Sequence, residues 1–157
     1  MKKSILLIIS IVLFGVFAYS QIKVPEKVVA AFRAKFPAAG ALEWGKESDT
    51  EFEAEFKMNG KEMSANFNAA GKWLETEAKL SKNDLPAPVL ATLKTKFGSS
   101  EVKNIESLEK VGEAVVYEVQ LEQDENGLEV ILDAGGRIVK QESIGEEEEG
   151  EDFEEND

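Results

Sequence analysis

The sequence predicts an α+β protein built as a tandem repeat, each copy one helix followed by a four-stranded antiparallel sheet. Three observations carry this. A proline-led amphipathic stretch occurs twice, at Val24-Pro25-Glu26 to Phe36 and at Leu85-Pro86-Ala87 to Phe97. Each stretch is followed by segments that alternate charged and apolar residues, the period of a strand with one buried face. The turn Asn68-Ala69-Ala70-Gly71-Lys72-Trp73 returns 65 residues later as Asp133-Ala134-Gly135-Gly136-Arg137-Ile138. Helix, strands and turns kept in step through two copies are the mark of an internal repeat.

In chain order, the first element is not part of the fold. Lys2 and Lys3 precede an apolar run from Ile5 to Ala18, and Ala18-Tyr19-Ser20 offers small residues ahead of Gln21. This is the pattern of a cleaved signal peptide over residues 1–20, with export to the periplasm or beyond. No cysteine follows to accept a lipid.

The first repeat spans 21–80. Pro25 suits the first helical turn, where a missing N–H costs nothing, and Val28, Ala31, Phe32 and Phe36 share one face. Pro37 ends the helix. A short strand over Ala41–Glu47 precedes Glu51-Phe52-Glu53-Ala54-Glu55-Phe56-Lys57-Met58, whose alternation is unbroken. Asn59-Gly60 marks a hairpin. Met63, Ala65 and Phe67 continue the buried face, and Lys72–Glu77 makes a fourth strand.

The second repeat spans 81–144. Asp84 is placed to cap its helix; Val89, Leu93 and Phe97 face inward, and Gly98 ends it. Tyr117, Val119 and Leu121 match Phe52, Ala54 and Phe56; Leu128, Val130 and Leu132 match Met63, Ala65 and Phe67. The helices are offset by 61 residues and the later strands by 65, so an insertion lies between Ile105 and Tyr117. Asp124-Glu125-Asn126-Gly127 is the hairpin tip equivalent to Asn59-Gly60. From 145 to 157 the chain carries nine carboxylates and one aromatic, a composition that leaves a disordered acidic tail.

Formal net charge is −13, which argues against nucleic acid, whose phosphates call for an excess of Lys and Arg. The chain has neither Cys nor His. Thiolate nucleophiles, disulfides, the usual neutral-pH general base and the commonest zinc ligand are thereby removed. Paired carboxylates survive this cut, but glycoside hydrolysis needs a cleft and a desolvated acid, and these glutamates sit on an open alternating strand. The reading is therefore not an enzyme, with no cofactor and no metal.

The candidate binding residues are Glu51, Glu53 and Glu55 with Glu118, Gln120 and Glu122. They face away from the helices and make an acidic stripe if the two sheets pair side by side. Such a stripe serves a basic protein partner or, weakly, calcium, which takes oxygen ligands; as a plain solvated face it serves only solubility. Trp73 is either an interface anchor or a packing residue, since Ile138 replaces it in the second copy. Trp44, replaced by Ile105, reads as packing.

Val24-Pro25 with Phe36-Pro37, Phe67-Asn68 with Gly71-Lys72-Trp73-Leu74-Glu75-Thr76-Glu77, Leu85-Pro86 and Tyr117-Glu118-Val119 together resemble the PepSY-like family. These are small exported bacterial proteins, common in the Bacteroidota and described as β-lactamase-inhibitor-like. The resemblance runs from about Val24 to Glu142. It implies a helix packed on a four-stranded sheet in each repeat, with the sheets able to join edge to edge into a partly concave surface. It also implies inhibitor-like binding of a protein, and brings no catalytic motif. The expected function is an exported, non-enzymatic module that recognises a protein through its sheet face, free of the membrane once the signal peptide is removed. The alternative is an acidic envelope protein that holds calcium weakly through sheet and tail carboxylates.

Overall fold

A computed structural model describes residues 22–123 and 126–144. The segments read as signal peptide and acidic tail, and the Asp124-Glu125 tip, lie outside the described residues. The order is α1 (Glu26–Lys35), β1 (Gly40–Lys46), β2 (Glu51–Met58), β3 (Lys61–Asn68) and β4 (Trp73–Lys79), then a 3-10 turn (Lys82–Asp84), α2 (Ala87–Lys96), β5 (Glu101–Lys110), β6 (Val116–Gln123), β7 (Asn126–Asp133) and β8 (Ile138–Ile144). All eight strands form one antiparallel sheet in chain order.

Local chemistry explains the punctuation. Pro25 and Pro86 stand at the N-caps of α1 and α2, where no N–H is missed. Asn59 and Gly60 take φ of 54° and 78°, the two left-handed residues of a tight hairpin, and Met58 pairs Lys61 across it. The β3–β4 turn is tied by Asn68, whose Oδ1 accepts from the amides of Ala70 and Lys72 at 3.0 Å each. Asp133 does the same for Gly135 and Arg137, again at 3.0 Å. Each turn then presses a glycine against the first turn of its helix. A Cβ on Gly71 would lie 2.7 Å from the Lys27 carbonyl oxygen, and one on Gly136 would collide with that of Pro88.

Asp84 departs from its expected role. Pro86 is the N-cap residue of α2, and no side chain caps that helix. Asp84 instead closes the 3-10 turn, accepting from the Ser81 amide at 2.9 Å and the Ser81 hydroxyl at 2.6 Å, and pairs Lys61 at 2.8 Å. A proline two residues on holds the chain extended there, so the carboxylate reaches back rather than forward.

The register sets the two faces. Phe52, Ala54 and Phe56 pair Phe67, Ala65 and Met63, and Ala65 pairs Thr76. Thr76 and Ala78 pair Glu109 and Ser107, and Ile105 pairs Val119. One continuous face thus carries the apolar rows of both halves, and both helices pack on it. Val28, Phe32 and Phe36 of the first helical segment bury Phe52, Phe56 and Phe67, and Trp44 meets Phe32 edge-on at 5.4 Å. Leu85, Val89 and Leu93 bury Ile105, Val119, Leu121, Val130 and Leu132.

Between these two cores lies a seam of Thr76, Ala78, Ser107 and Glu109. The insertion between Ile105 and Tyr117 explains how the halves join. It lengthens β5 to ten residues against seven in β1. The added stretch supplies Leu108, Glu109 and Lys110, which pair Glu77, Thr76 and Glu75 of β4.

Candidate functional site: the helix-free sheet face

The opposite face has no helix over it. Its rows read off the register: Glu53–Asn66–Glu75–Lys110, Glu55–Ser64–Glu77–Leu108–Val116, and Lys79–Glu106–Glu118–Ile131–Lys140. A further row is Gln120–Glu129–Glu142. Alternation put these side chains here, because each strand gives every second residue to the helices.

Glu51, Glu53, Glu55, Glu118, Gln120 and Glu122 all belong to this face, but not as one stripe. β2 and β6 are four strand spacings apart, roughly 19 Å. Glu75, Glu77 and Glu106 fill the gap and turn two rows into a field. Glu122 lies at the margin, 3.2 Å from the Lys103 ammonium. Trp73 is on the other side: its Nε1 donates to Thr76 Oγ1 at 2.8 Å, and the Lys35 ammonium sits 3.7 Å from the ring centroid. The structure separates it from the carboxylates.

Crowding and burial govern the chemistry of this field. Burial, then the charges of Glu106, Glu75, Glu118 and Glu53, push the Glu77 carboxyl up to about 8. Burial, then Glu55, Glu47 and Glu75, push Glu53 up to about 7, with a Ser64 hydrogen bond opposing. Burial, then the charge and shared hydrogen bond of Glu129, push Glu118 up to about 7. The alternation alone predicts solvated glutamates on an open strand; these are desolvated instead, because neighbouring side chains on a sheet stand shoulder to shoulder.

The cations on the face are paired within it: Lys110 with Glu75 of the field at 3.2 Å, Lys79 with Glu62 at 3.8 Å and Lys140 with Glu142 at 2.7 Å. Two acceptors are buried with no donor, Oδ1 of Asn66 (6% exposed) and Oε1 of Glu129 (4% exposed). Such groups cost roughly 1–3 kcal/mol each.

Beside the field is a small apolar pocket of about 100 Å³, lined by Leu108, Val116, Ile131, Ala114 and Val139 with Lys110, Glu113 and Lys140 at its rim. Raised carboxyls near neutrality also occur in acid–base sites. The pocket's volume is that of a single side chain and lies below the roughly 300–1,000 Å³ usual for small-molecule sites. Among the described residues no group of three or more acidic side chains is arranged to hold a metal ion, and no helix is long and apolar enough to cross a membrane.

Asn66, Glu75, Glu77, Glu106 and Glu129 were missed from sequence. Glu75 and Glu77 alternate with Thr76 and Ala78, which is a readable signal. Glu106 lies close to the insertion and Glu129 among apolar neighbours, where no pattern marks them.

A folded αββββ unit followed by a second, joined as one eight-stranded sheet with one face open, defines a class seen elsewhere. A family model described as "Putative beta-lactamase-inhibitor-like, PepSY-like" matches residues 50–140. The chain belongs to that family. A DUF2874 family protein of Bacteroides ovatus is similar in structure, with a TM-score of 0.73 at 22% identity over 78% of this chain and 89% of that one. So is a BLIP-like protein of Bacteroides fragilis, at 0.73 and 23% identity over 78% and 88% of the two chains. A protein of Bacteroides eggerthii described as "putative periplasmic" matches at 0.72 and 18% identity over 78% and 91%. At these identities the likeness concerns the fold. Comparison with functionally curated proteins gave no match.

Proposed function

We propose that this is an exported, non-enzymatic recognition module that binds a protein partner through the helix-free face of its sheet. The observation that carries the reading is the unfinished electrostatics of that face. Half-buried carboxyls stand among their own kind, and two buried acceptors lack donors. A partner that brings donors and cations relieves both, which is the complementarity protein interfaces use for specificity. The apolar pocket and the exposed Val115 and Val139 add a place for an anchoring side chain. Periplasmic descriptions among similar structures support export, with residues 1–20 as the signal and 145–157 as a solubilising tail. We read the two αββββ units as copies of one ancestral unit.

The chain has no cysteine, so a single one can be labelled after folding. Ser64→Cys, at the centre of the face, and Lys94→Cys, on α2, would each carry a bulky maleimide and serve as bait for envelope proteins. The expected result is one protein retained by the unlabelled chain and the α2-labelled chain, and lost when Ser64→Cys is labelled. Equal retention by both labelled forms would place recognition elsewhere.

A further inference from the structure

The field of carboxylates has a centre. Glu77 has Ser64 and Leu108 as cross-strand neighbours, and its surrounding charges are Glu106, Glu75, Glu118 and Glu53. Among the described residues its carboxyl makes no ion pair or hydrogen bond; of the lysines beside it, Lys79 pairs with Glu62 at 3.8 Å and Lys110 takes one oxygen of Glu75 at 3.2 Å. Asn66 stands in the row between Glu53 and Glu75, donating through Nδ2 to Glu75 Oε1 at 3.0 Å. That bond holds its amide within the cluster, where Oδ1 is left buried without a donor.

Resting on the recognition reading above, we propose that Glu77, with Glu53, Glu75, Glu106 and the Asn66 amide around it, receives the guanidinium group of an arginine on the partner protein.

Geometry selects this cation over others. The sheet spaces these carboxylates by about 5 Å between paired residues and about 7–8 Å on the diagonal. A calcium ion needs six to eight oxygens at roughly 2.3–2.6 Å and cannot gather ligands held on such a lattice, in keeping with the lack of any metal-holding group among the described residues. A guanidinium is planar, carries five donors in a fixed fork and spans two or more separated acceptors. It is also less hydrated than an ammonium, so a half-buried acceptor set favours it over lysine. The apolar pocket begins at Leu108, the cross-strand neighbour of Glu77, and accepts the residue beside the arginine. Docking converts a cluster that repels itself into one with a shared counter-charge.

The test is a nuclear magnetic resonance titration of the full chain at pH 8.5 with three capped tripeptides, Gly-Arg-Gly, Gly-Lys-Gly and Gly-citrulline-Gly. The arginine peptide should bind saturably and shift the Asn66 side-chain amide; the neutral citrulline peptide should do neither. Glu77→Gln should weaken arginine binding roughly tenfold, the loss of one charge-assisted contact, as should Glu106→Gln as an independent variant. Glu26→Gln, on exposed α1, should leave it unchanged. Equal losses in all three variants, or lysine binding as tightly as arginine, would overturn the assignment. Self-association abolished by Arg33→Gln would also overturn it, since the occupant would then be a second copy. If labelling at Ser64→Cys blocks capture but the arginine peptide does not bind, the recognition reading stands and the arginine assignment alone falls.

Discussion

Glu77 shows how a single side chain can tie stability to function. Its folded-state carboxyl titrates near 8 rather than 4.5, because burial and four neighbouring carboxylates oppose its charge. A group raised in the folded state binds its proton more tightly there than in the unfolded chain. Its stabilising effect is therefore complete below about pH 4.5 and is lost as pH rises toward 8. Glu53 and Glu118, raised to about 7, act in the same direction. The charged groups facing Glu77 are Glu75 and Lys79 on its own strand, Glu53 and Glu55 on β2, Glu106 and Lys110 on β5, and Glu118 on β6. Asp84 and Asp133 are held low by hydrogen bonds and lose their contribution only in stronger acid. No histidine titrates in between. Melting temperature should thus fall between pH 5.5 and 8.5. Glu77→Gln, the neutral isostere, should exceed the wild type at pH 8.5 by about 1–3 kcal/mol after allowance for its partial exposure. That advantage should shrink as pH approaches 4.5. A gap that stays constant with pH would assign the effect to packing instead.

Among the elements, the glycine turns show which parts of the design the chain announces and which it hides. Gly112 and Gly136 have nearly the same backbone, with φ of 77° and 79°. A Cβ on Gly112 would meet open space, whereas one on Gly136 would meet the Pro88 carbonyl and Thr92 Oγ1. Gly112→Ala should cost about 1 kcal/mol, the strain of a left-handed alanine. Gly136→Ala should cost about 3 kcal/mol or more, because it also levers the turn off α2 and strains the 2.7 Å bond from Thr92 to the Gly136 carbonyl. Urea denaturation of the two variants compares them directly, and equal costs would show that the turn yields freely. The helices, the Asn59-Gly60 hairpin and both Asx-tied turns were legible because their rules are local: a proline at the start, an Asn or Asp holding two amides, a glycine where φ is positive. The role of Asp84 was not, because a cap and a 3-10 closure need the same residue type and differ only in which way the chain bends. The carboxylate field was half legible. Period-two alternation assigns Glu53 and Glu118 to a face, but strand order decides that Glu77 and Glu106 stand between them. Burial of those groups comes from that same order, so no local pattern discloses it.

For the whole molecule, the open face exists only because β4 and β5 join the halves. The two cores share no buried residue, and the helix side of the seam is lined by Thr76, Ala78, Ser107 and Glu109, which bury little apolar surface. The join therefore depends on main-chain hydrogen bonds, on Leu108 and on the Lys110–Glu75 ion pair across it. Bonds from the Leu80 amide to the Ile105 carbonyl at 2.8 Å and from the Val111 amide to the Leu74 carbonyl at 3.0 Å bracket the ladder. Alternation of antiparallel pairs then makes Ala78–Ser107 and Thr76–Glu109 the bonded pairs between them. The Ser107 amide consequently points at β4, and Ser107→Pro removes a seam bond in the middle of the sheet. The wild type should melt in one transition, with its seam amides exchanging at lower free energy than those of either core. Ser107→Pro should split that transition in two, while Ser107→Ala should leave it single. The split form should also lose partner capture, since Glu77 lies on one half and Glu106 on the other. A single, merely lowered transition in Ser107→Pro, with exchange as slow at the seam as in the cores, would mean that the halves are held by more than this ladder.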